Sequence, residues 1–291
     1  MNTSLVVAIV LNWNLPGDTV RCVRSLLREQ SASLQVVIVD NGSGDDSLDW
    51  FARELSDVPV VVSPQNRYYA GGNNLGLAAA LDAGADWVLV INNDTVAAPD
   101  MVSHLVRAAE AQAASLVAPL IYRLDAPEAC WDAGQQWPRW RPLAARARAQ
   151  TDPYPVDMVT GCAMLIRADM ARALGGFDER YVMYYEDADL CLRLRQLGGR
   201  IVVAPEARLW HAVGSSAALA SERSAEQKAR FRLRFYRQHA PWPWRPVTLL
   251  MVTGHTVVQV LLAWLRRQPG RARALWRGLC LGWREPIEGR L

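Results

Sequence analysis

The chain has 291 residues, of which 51% are hydrophobic, and its formal net charge is +3. This length is enough for one large domain with an appendage. Its five cysteines form no C-x-x-C pair, which argues against a zinc site or a disulfide framework and fits a reducing compartment. Because Met1–Ser4 carries no basic residue and the apolar run Leu5–Leu11 is short, we expect a cytoplasmic protein without a secretory signal.

In chain order, the first half alternates short apolar runs with segments of helical spacing. The predicted strands are Val6–Leu11, Val36–Val39, Val58–Val62 and Trp87–Ile91. Helical spacing follows them at Val20–Leu27, Trp50–Leu55, Leu75–Ala83 and Pro99–Ala111. A loop is predicted over Asn66–Gly72. Continuous apolar strands that alternate with helices are typical of a mostly parallel sheet covered on both faces, so we predict an α/β fold.

The second half is less regular. Asp125–Pro155 is rich in Trp, Arg and Pro and is predicted to be an extended loop region. A strand, a helix, a second strand and a polar helix are then predicted at Met158–Ile166, Asp187–Leu197, Ile201–Ala204 and Ser221–Gln238. The predicted organisation is an α/β domain over residues 1–216 and a helical, basic region over residues 217–291.

Polar residues stand where four of the predicted strands end. They are Asn12–Asn14, Asp40–Ser43, Asn66 and Asn92–Thr95. Ligands of open α/β sheets bind outside the carboxyl ends of the strands. One such cluster is explained by the turn that follows any strand, whereas four are expected to converge on a binding site.

Asp40 ends a predicted buried strand and precedes Asn41 and Gly42. A carboxylate in this position can accept a hydrogen bond from the ring N–H of uracil or thymine. An Asx-turn or a helix cap explains the same residue without any ligand. We prefer the base-binding interpretation because of the other polar clusters.

The segment Asn66–Gly76 is rich in glycine and asparagine and opens a predicted helix. Gly71 and Gly72 permit a close approach of the backbone to a ligand, and Asn73 or Asn74 can cap the helix. The segment matches neither the Walker loop nor the G-x-G-x-x-G fingerprint. A ligand-binding loop and an ordinary capped loop explain it equally well.

Asp94 is the strongest candidate for a metal ligand. Mg²⁺ and Mn²⁺ prefer oxygen ligands, and one carboxylate is enough when a bound diphosphate supplies the rest. Capping of the helix predicted from Pro99 is the alternative role for Asp94. His211 follows the last predicted strand and is the candidate second ligand, although a lone histidine is more often structural.

Three acidic residues, Glu186, Asp187 and Asp189, begin a predicted helix. Acids stabilise a helix N-terminus, which explains them without catalysis. Asp189 and Arg193 are spaced for an i,i+4 ion pair, and we predict that this pair is structural. Neighbouring acids also raise one another's pKa values, which suits a general base.

Six stretches of the chain, in this order, resemble the family 2 glycosyltransferases, particularly the bacterial rhamnosyltransferase-like members. They are Val7–Asn14 (VAIVLNWN), Val39–Ser43 (VDNGS), Asn66–Gly76 (NRYYAGGNNLG), Val90–Thr95 (VINNDT), Gly175–Gly199 (GGFDERYVMYYEDADLCLRLRQLGG) and His211–Ser216. They cover most of residues 5–216, and the ordered set is far more specific than any one stretch. The resemblance implies a GT-A fold and transfer of a sugar from a nucleoside diphosphate with inversion.

By this resemblance, Asp187 is the expected catalytic base, with Glu186 as its partner. Asp40 corresponds to the acid that recognises the pyrimidine. Asp94 corresponds to the last acid of the family's D-x-D motif, where Mg²⁺ or Mn²⁺ binds, and His211 is the expected second ligand.

Asn92 stands where the first acid of that motif often is, so weaker metal binding or greater reliance on the histidine is expected. Donor binding is expected from Asn12, Asn14, Asp40, Asn41, Asn66, Gly71, Gly72, Asn73, Asn74, Asn92, Asn93 and Asp94. The implied reaction moves rhamnose or another hexose from dTDP or UDP to a saccharide or lipid-linked acceptor in cell-surface polysaccharide synthesis.

Two other functions are compatible with parts of this sequence. A nucleotidyltransferase needs a glycine-rich loop with basic residues after the first strand, and Val10–Asp18 offers only Gly17. A non-catalytic sugar-nucleotide-binding subunit of a polysaccharide assembly complex stays open. The presence of Asp94 and of Glu186 with Asp187 argues against it.

The carboxyl-terminal part is basic. From residue 240 onward it holds 8 Arg, no Lys and 2 Glu, a net charge of +6, whereas the rest of the chain is slightly acidic. Pro246–Leu265 carries no charged residue and is long enough to span a bilayer. It is also amphipathic, with one face formed by Thr248, His255, Thr256 and Gln259 and the opposite face by Leu250, Val257, Leu261 and Trp264.

Arginine with tryptophan after this segment suits an anionic membrane surface, so we predict peripheral binding to the inner face of the cell membrane. Packing as a helical hairpin on the body or in a homodimer is the second interpretation, and a membrane span is the third. Nucleic acid is not an expected partner, because no nucleic-acid-binding motif is present.

Overall fold

The structure is a computed structural model that describes residues 4–30, 32–138, 143–212 and 221–286. The elements of the first half are β1 (Leu5–Asn12), α1 (Pro16–Leu26), β2 (Ser33–Asp40), α2 (Ser47–Glu54), β3 (Val60–Val62), α3 (Tyr68–Asp82), β4 (Trp87–Asn92), β5 (Thr95–Ala97) and α4 (Met101–Ala111). Those of the second half are β6 (Leu116–Arg123), β7 (Cys130–Asp132), β8 (Gln135–Gln136), β9 (Ala145–Arg146), β10 (Tyr154–Val156), β11 (Ala163–Arg167), α5 (Ala168–Leu174), α6 (Glu186–Gln196), β12 (Ile201–His211), α7 (Glu222–His239), α8 (Arg245–Leu265) and α9 (Pro269–Arg284).

The main sheet has 10 strands within these ranges, and its principal order is β10-β12-β6-β11-β4-β1-β2-β3. β1 is parallel to both β2 and β4, which places Asn12 opposite Asp40 and Leu11 opposite Asn92. β11 runs antiparallel between β4 and β6. The predicted α/β fold is confirmed: the sheet is parallel from β4 to β3 and mixed beyond β11.

β1 shows why the sheet is covered on both faces. Val7 and Ile9 belong to an apolar cluster to which α3 and α6 contribute. Val6, Ala8 and Val10 belong to a second cluster, to which α1 and α4 contribute. Because successive side chains of a strand point to opposite faces, a strand that is apolar at every position must be buried on both sides.

Helix α3 begins at Tyr68, so the loop predicted over residues 66–72 is wrong for most of its length. The reason lies in the packing of α3 on β1. A Cβ atom on Gly76 would lie 2.2 Å from Ile9 Cγ2, and one on Gly72 would lie 2.5 Å from a leucine of β1. Glycine in a helix costs about 1 kcal/mol relative to alanine, and this close helix–sheet contact offsets that cost.

The last strand of the sheet, β12, is longer than predicted. It continues beyond Ala204 to His211 through a register shift between Ala204 and Arg208. Pro205 lies in this shift and has no N–H for the ladder, which is why the strand pattern stops there in the sequence. The region predicted as a loop over residues 125–155 contributes short strands, of which β7 pairs with β6 and β10 pairs with β12.

The three carboxyl-terminal helices follow residues 213–220, so the predicted domain boundary at residue 216 lies outside the described residues. α7 packs directly on the α/β part of the molecule. The Phe231 ring lies 5.8 Å from that of Tyr181, and the Phe235 ring lies 5.7 Å from that of Trp137. The apolar core of the helical region is therefore continuous with that of the sheet.

Helix α8 buries its small and hydroxyl-bearing residues and exposes its large apolar ones. The buried residues are Thr248, Val252, Thr256, Val260 and Ala263. Leu250 is 74% exposed, Leu261 57% and Leu265 79%. Of the predicted polar face, Thr248 and Thr256 are buried whereas His255 and Gln259 are exposed, so the buried face is rotated from the predicted one. The small side chains of the buried face let α8 approach its neighbours closely.

By length and composition α8 could cross a bilayer, since its 21 residues include a window of mean hydropathy 1.7. A buried helix of a soluble protein meets the same criterion, but only 28% of this window is buried. Most of the apolar window of α8 is therefore exposed on the surface of the protein.

Candidate active site

The carboxyl ends of β1 and β2 are joined by a buried polar network around Asp40. Asn12 Nδ2 donates to Asp40 Oδ1 at 3.0 Å and to Ser43 Oγ at 3.0 Å. Ser43 donates to Asp40 through its hydroxyl at 2.6 Å and through its backbone N–H at 3.1 Å. Asn14 lies at the rim of this network, where its N–H donates to Ser43 Oγ and its side chain accepts from Gly44 N. The turn-forming role of Asp40 is thus present, and base recognition stays a prediction.

Thr19 connects this network to the end of β4. Its hydroxyl donates to Asn12 Oδ1 at 2.8 Å and accepts from Asn93 Nδ2 at 3.0 Å. The sequence analysis did not identify Thr19, because a threonine in a helix carries no signal of its own. The contacts bring the ends of three predicted strands together.

Asn41 and Asn66 organise the start of α3. Asn41 Nδ2 donates to Asn66 Oδ1 at 3.1 Å and to the carbonyl of Tyr68 at 3.0 Å, while Asn41 Oδ1 accepts from Arg67 N at 2.9 Å. A Cβ on Gly71 would lie 2.9 Å from Arg67 Cβ, so Gly71, like Gly72, serves helix packing. These amides hold the loop in place, and their contact with a donor stays a prediction.

Asn73 and Asn74 lie within α3 and do not cap it, which corrects that prediction. Asn74 holds a distant turn, since its side chain donates to the carbonyl of Phe177 and accepts from the N–H of Phe177. Asn73 Nδ2 donates to Tyr69 O at 2.9 Å, and Asn73 Oδ1 is buried without a partner among the described residues. Asn73 therefore retains a free acceptor.

Asp94 and His211 meet as the sequence predicts. Asp94 Oδ1 lies 3.2 Å from His211 Nε2, because β5 pairs with the end of β12 and Ala212 N donates to Asp94 O at 3.0 Å. The Trp131 ring packs on the imidazole at 4.8 Å between centroids. Helix α4 begins at Met101, after an intervening strand, so Asp94 does not cap it.

This pair fits a divalent cation. An octahedral ion with ligand bonds near 2.1 Å places neighbouring ligand atoms about 3 Å apart, close to the observed separation of the Asp94 and His211 atoms. Within the described residues no cluster of three His, Cys, Asp or Glu side chains is present. A cation held here would therefore take its remaining ligands from a bound diphosphate and from solvent.

Glu186 and Asp187 open α6 after two tyrosines in left-handed conformations, Tyr184 at φ 75° and Tyr185 at φ 70°. Non-glycine residues adopt this region at an energetic cost, and such residues concentrate at functional sites. Asp187 accepts hydrogen bonds from Gly161 N at 2.9 Å and from Ala188 N at 2.7 Å. Burial raises the pKa of Asp187, and these N–H donors oppose that rise.

Glu186 is the more strongly perturbed of the two acids. Burial, and then the negative charge of Asp187, raises the pKa of Glu186 to about 8. Its Oε2 atom is buried and has no partner among the described residues. At neutral pH Glu186 therefore keeps its proton, whereas the backbone N–H donors favour the ionised form of Asp187.

The dipeptide Gly161–Cys162 joins the Glu186–Asp187 pair to the turn that carries Asp94. Gly161 N donates to Asp187, and Cys162 O accepts from Asn92 N at 2.9 Å. The Tyr69 hydroxyl donates to Gly161 O at 2.5 Å and fixes the dipeptide from the side of α3. Asp187 and the Asn92–Asp94 turn thus lie on opposite sides of the Gly161–Cys162 dipeptide.

Asp132 at the end of β7 was missed by the sequence analysis. Burial raises its pKa, and the negative charge of Asp187 acts in the same direction. Gly134 N donates to Asp132 Oδ1 at 2.8 Å. The residue lies in the irregular region over 125–155, where no periodic pattern marks a strand end.

Asp189 is structural, as predicted. Its carboxylate is buried and accepts from Arg193 Nε at 2.7 Å, and it lies 2.7 Å from His239 Nε2 on α7. Arg193 also donates to the carbonyls of Leu174 and Gly176. This network ties α6, which carries Glu186 and Asp187, to α7.

Replacing Asp189 with Asn is expected to destabilise the protein by about 3–5 kcal/mol, because it leaves the buried Arg193 without its counter-charge. Urea unfolding measures the loss. Asp125→Asn is the control, since the Asp125–Arg123 pair is exposed and screened by solvent, so its loss is expected to change stability little. Equal losses for the two variants would contradict the structural role of Asp189.

Known proteins resemble this chain over most of its length. Residues 7–175 match the family described as Glycosyl transferase family 2. The N-acetylglucosaminyl-diphospho-decaprenol L-rhamnosyltransferase of Mycobacterium tuberculosis (strain ATCC 25618 / H37Rv) is 27% identical, over 91% of this chain and 97% of that protein. The dTDP-rhamnosyl transferase RfbF of Shigella flexneri is 21% identical, over 74% of this chain and 71% of that protein.

Among solved structures, the mannosyltransferase PcManGT from Pyrobaculum calidifontis in complex with GDP-Man and Mn²⁺ is similar in fold. It has a TM-score of 0.62 at 14% identity and covers 98% of this chain and 88% of that one. Together with the family match from residue 7 to residue 175, this likeness identifies the chain as a glycosyltransferase of family 2 with a GT-A fold.

Proposed function

We propose that this enzyme transfers rhamnose or another hexose, with inversion, from a dTDP or UDP donor to a lipid-linked saccharide acceptor. The observation that carries the proposal is the position of Asp187 and the Asp94–His211 pair on either side of Gly161–Cys162. The names of the two relatives support the choice of substrates, since one acts on an N-acetylglucosaminyl-diphospho lipid and the other is a dTDP-rhamnosyl transferase.

The donor would bind across the carboxyl ends of β1, β2 and β4. Asp40 would accept a hydrogen bond from the N–H of the pyrimidine ring. A carboxylate has about four lone-pair sites, and Asn12 and Ser43 do not use all of them. Asn12, Asn14, Asn41, Asn66, Asn73, Asn92 and Asn93 would line the path to the diphosphate. Bound Mg²⁺ or Mn²⁺ at Asp94 and His211 would supply positive charge for the leaving diphosphate.

The acceptor hydroxyl would lie against Asp187. As its oxygen attacks the anomeric carbon, the carboxylate takes the hydroxyl proton and the bond to the diphosphate breaks on the opposite face of the sugar. A single displacement inverts the configuration and needs no covalent intermediate. Glu186, which keeps its proton at neutral pH, adds no second negative charge to the site.

Transfer assays with dTDP- and UDP-sugars and a short-chain N-acetylglucosaminyl-diphospho lipid test this function. Product of inverted anomeric configuration, identified by NMR, is the expected result. If nucleotide sugars bind but are neither transferred nor hydrolysed, the chain is instead a non-catalytic sugar-nucleotide-binding subunit.

We further propose that the exposed face of α8 rests on the anionic inner surface of the cell membrane. The patch includes Leu250, Leu261, Trp264 and Leu265, all exposed, and Arg266 and Arg267 follow it and are exposed too. Large apolar residues beside arginine and tryptophan match the interface of a bilayer that contains anionic lipids.

Vesicles with anionic lipids are therefore expected to bind the protein in a salt-sensitive manner, because each arginine near the surface contributes about 1 kcal/mol and salt screens it. Co-sedimentation measures this. The double variant Leu261→Gln, Leu265→Gln is expected to bind weakly, whereas Leu48→Gln on the distant helix α2 is not.

Three results would contradict peripheral binding. If the protein does not bind anionic vesicles at low salt, α8 serves packing instead. If the protein is a homodimer that the same double variant disrupts, α8 packs against a second copy of the chain. A protein that only detergent extracts, and salt or carbonate does not, spans the membrane.

A further inference from the structure

A cleft of about 510 Å³ separates the catalytic acids from the carboxyl-terminal helices. One wall is formed by residues 184–188, which include Glu186 and Asp187. The opposite side is formed by α7, α8 and α9 and carries three basic residues, Lys228, Arg232 and Arg271. We name this space the cationic cleft.

The three basic residues of the cationic cleft have no acidic partner among the described residues, in contrast to other basic residues of the same helices. On α7, Arg230 and Arg234 both pair with Glu285. Lys228 and Arg232 are four residues apart, so they lie on one face of α7. Glu285 therefore neutralises the α7 arginines that face α9, whereas Lys228 and Arg232, which face the cleft, have no acidic partner among the described residues.

The geometry of the cleft keeps these cations near the reaction centre. Lys228 Nζ lies 4.8 Å from the centroid of the Tyr184 ring, two residues before Glu186. Arg232 lies near Tyr185, whose pKa it lowers against the dominant effect of burial. Lys228 and Arg271 are exposed and Arg232 is half-buried, so the three unpaired cations form an accessible positive surface in the cleft that would attract an anion.

The titratable groups that face this cleft favour an anion with more than one charge. Three cations oppose the charge of Asp187, and Glu186 keeps its proton at neutral pH. His255 on α8 is close enough for Arg232 to lower its pKa, in addition to the effect of burial, so it stays uncharged at neutral pH. The local balance is positive by about two charges.

We propose that Lys228, Arg232 and Arg271 bind the diphosphate of the lipid-linked acceptor and so deliver its sugar hydroxyl to Asp187. This inference rests on the proposed function. Arginine and lysine are the common ligands of phosphate oxygens. α8 contributes Thr256 and Gln259 to the cleft, and beyond the buried Val260 the exposed Leu261 and Leu262 offer apolar surface for the lipid chain.

Steady-state kinetics with two soluble acceptors test the assignment. One carries N-acetylglucosamine on a short-chain lipid diphosphate, and the other carries the same sugar on an uncharged alkyl chain. Lys228→Gln, Arg232→Gln and Arg271→Gln are each expected to raise KM for the diphosphate acceptor roughly tenfold or more, from the loss of a charged hydrogen bond. KM for the donor and for the uncharged acceptor is expected to stay unchanged.

Matched controls separate this role from folding. Arg273→Gln removes an exposed arginine of α9 that does not line the cleft and is expected to change neither KM. Lys228→Arg keeps the charge and is expected to restore most of the affinity lost in Lys228→Gln. Thermal unfolding of each variant identifies any loss that arises from misfolding.

A measurement without turnover keeps the inference distinct from the proposed function. Inorganic pyrophosphate in the presence of EDTA is expected to bind the wild type and to bind the triple glutamine variant at least tenfold more weakly. Equal binding by the two proteins would overturn the site even if the enzyme is active. If the variants raise KM equally for both acceptors, the cleft binds the sugar and not the diphosphate. If the variants lose only vesicle binding, the cleft binds lipid headgroups.

Discussion

Asp187→Asn is expected to lower the transfer rate by roughly 10²–10⁴-fold while donor binding is retained, because an amide cannot accept the proton of the acceptor hydroxyl. In the wild type the backbone donors Gly161 N and Ala188 N each hold one carboxylate oxygen, and the single oxygen of asparagine can still accept from one of them. Single-turnover kinetics and calorimetric titration of the nucleoside diphosphate measure the two effects separately. Near-normal turnover in a folded variant would remove Asp187 from the role of base.

Glu186→Gln is the matched control, since Glu186 keeps its proton at neutral pH and an amide resembles that form. Its pKa is raised by folding, so the stability that this group contributes is present at low pH and is lost as pH rises through about 8. We expect the wild type to lose stability as pH rises from about 4.5 to about 8, with no further loss from this group at higher pH, and Glu186→Gln to lose less over the same interval. A variant as inactive as Asp187→Asn would show that Glu186 itself takes part in proton transfer.

Asp94→Ala and His211→Ala are each expected to weaken cation-dependent binding of the nucleoside diphosphate and to lower transfer on the order of a hundredfold, since a metal ion contributes several kcal/mol at a developing phosphate charge. Both ligands are needed because no third one is available among the described residues. Calorimetric titration with Mn²⁺ and then with EDTA measures the coupling. Activity that survives excess EDTA unchanged would contradict the metal role of both residues.

The chain offers a second His–carboxylate pair as the control for this experiment. His104 Nδ1 lies 2.9 Å from Glu206 Oε2, away from the strand ends that form the site. His104→Ala is expected to leave the cation dependence unchanged. If it weakens nucleotide binding as much as His211→Ala does, the effect is one of global stability.

Local sequence patterns predicted much of the sheet edge. Apolar runs in β1, β2 and β4 require burial on both faces, and the polar residue that ends each run must then emerge at the carboxyl edge. For that reason Asn12, Asp40 and Asp94 could be assigned to one edge before any contact was known. The ordered family motifs added the expected pairing of Asp94 with His211, which lies 117 positions away in the sequence and 3.2 Å away in space.

Other features were decided by contacts between residues distant in sequence. In the sequence, the glycines of α3 suggest a loop. In the structure they belong to a helix that packs closely on Ile9 of β1, where a larger side chain would not fit. In the sequence, Lys228 and Arg232 look like part of an ordinary polar helix face. The structure shows that Glu285 pairs with the neighbouring arginines and that Lys228 and Arg232 line one cleft with Glu186 and Asp187. Hydropathy divides α8 into two faces, but only the close packing of helices decides that Thr256 turns inward and Leu261 outward, because burial of a face depends on the shape of the surface that covers it.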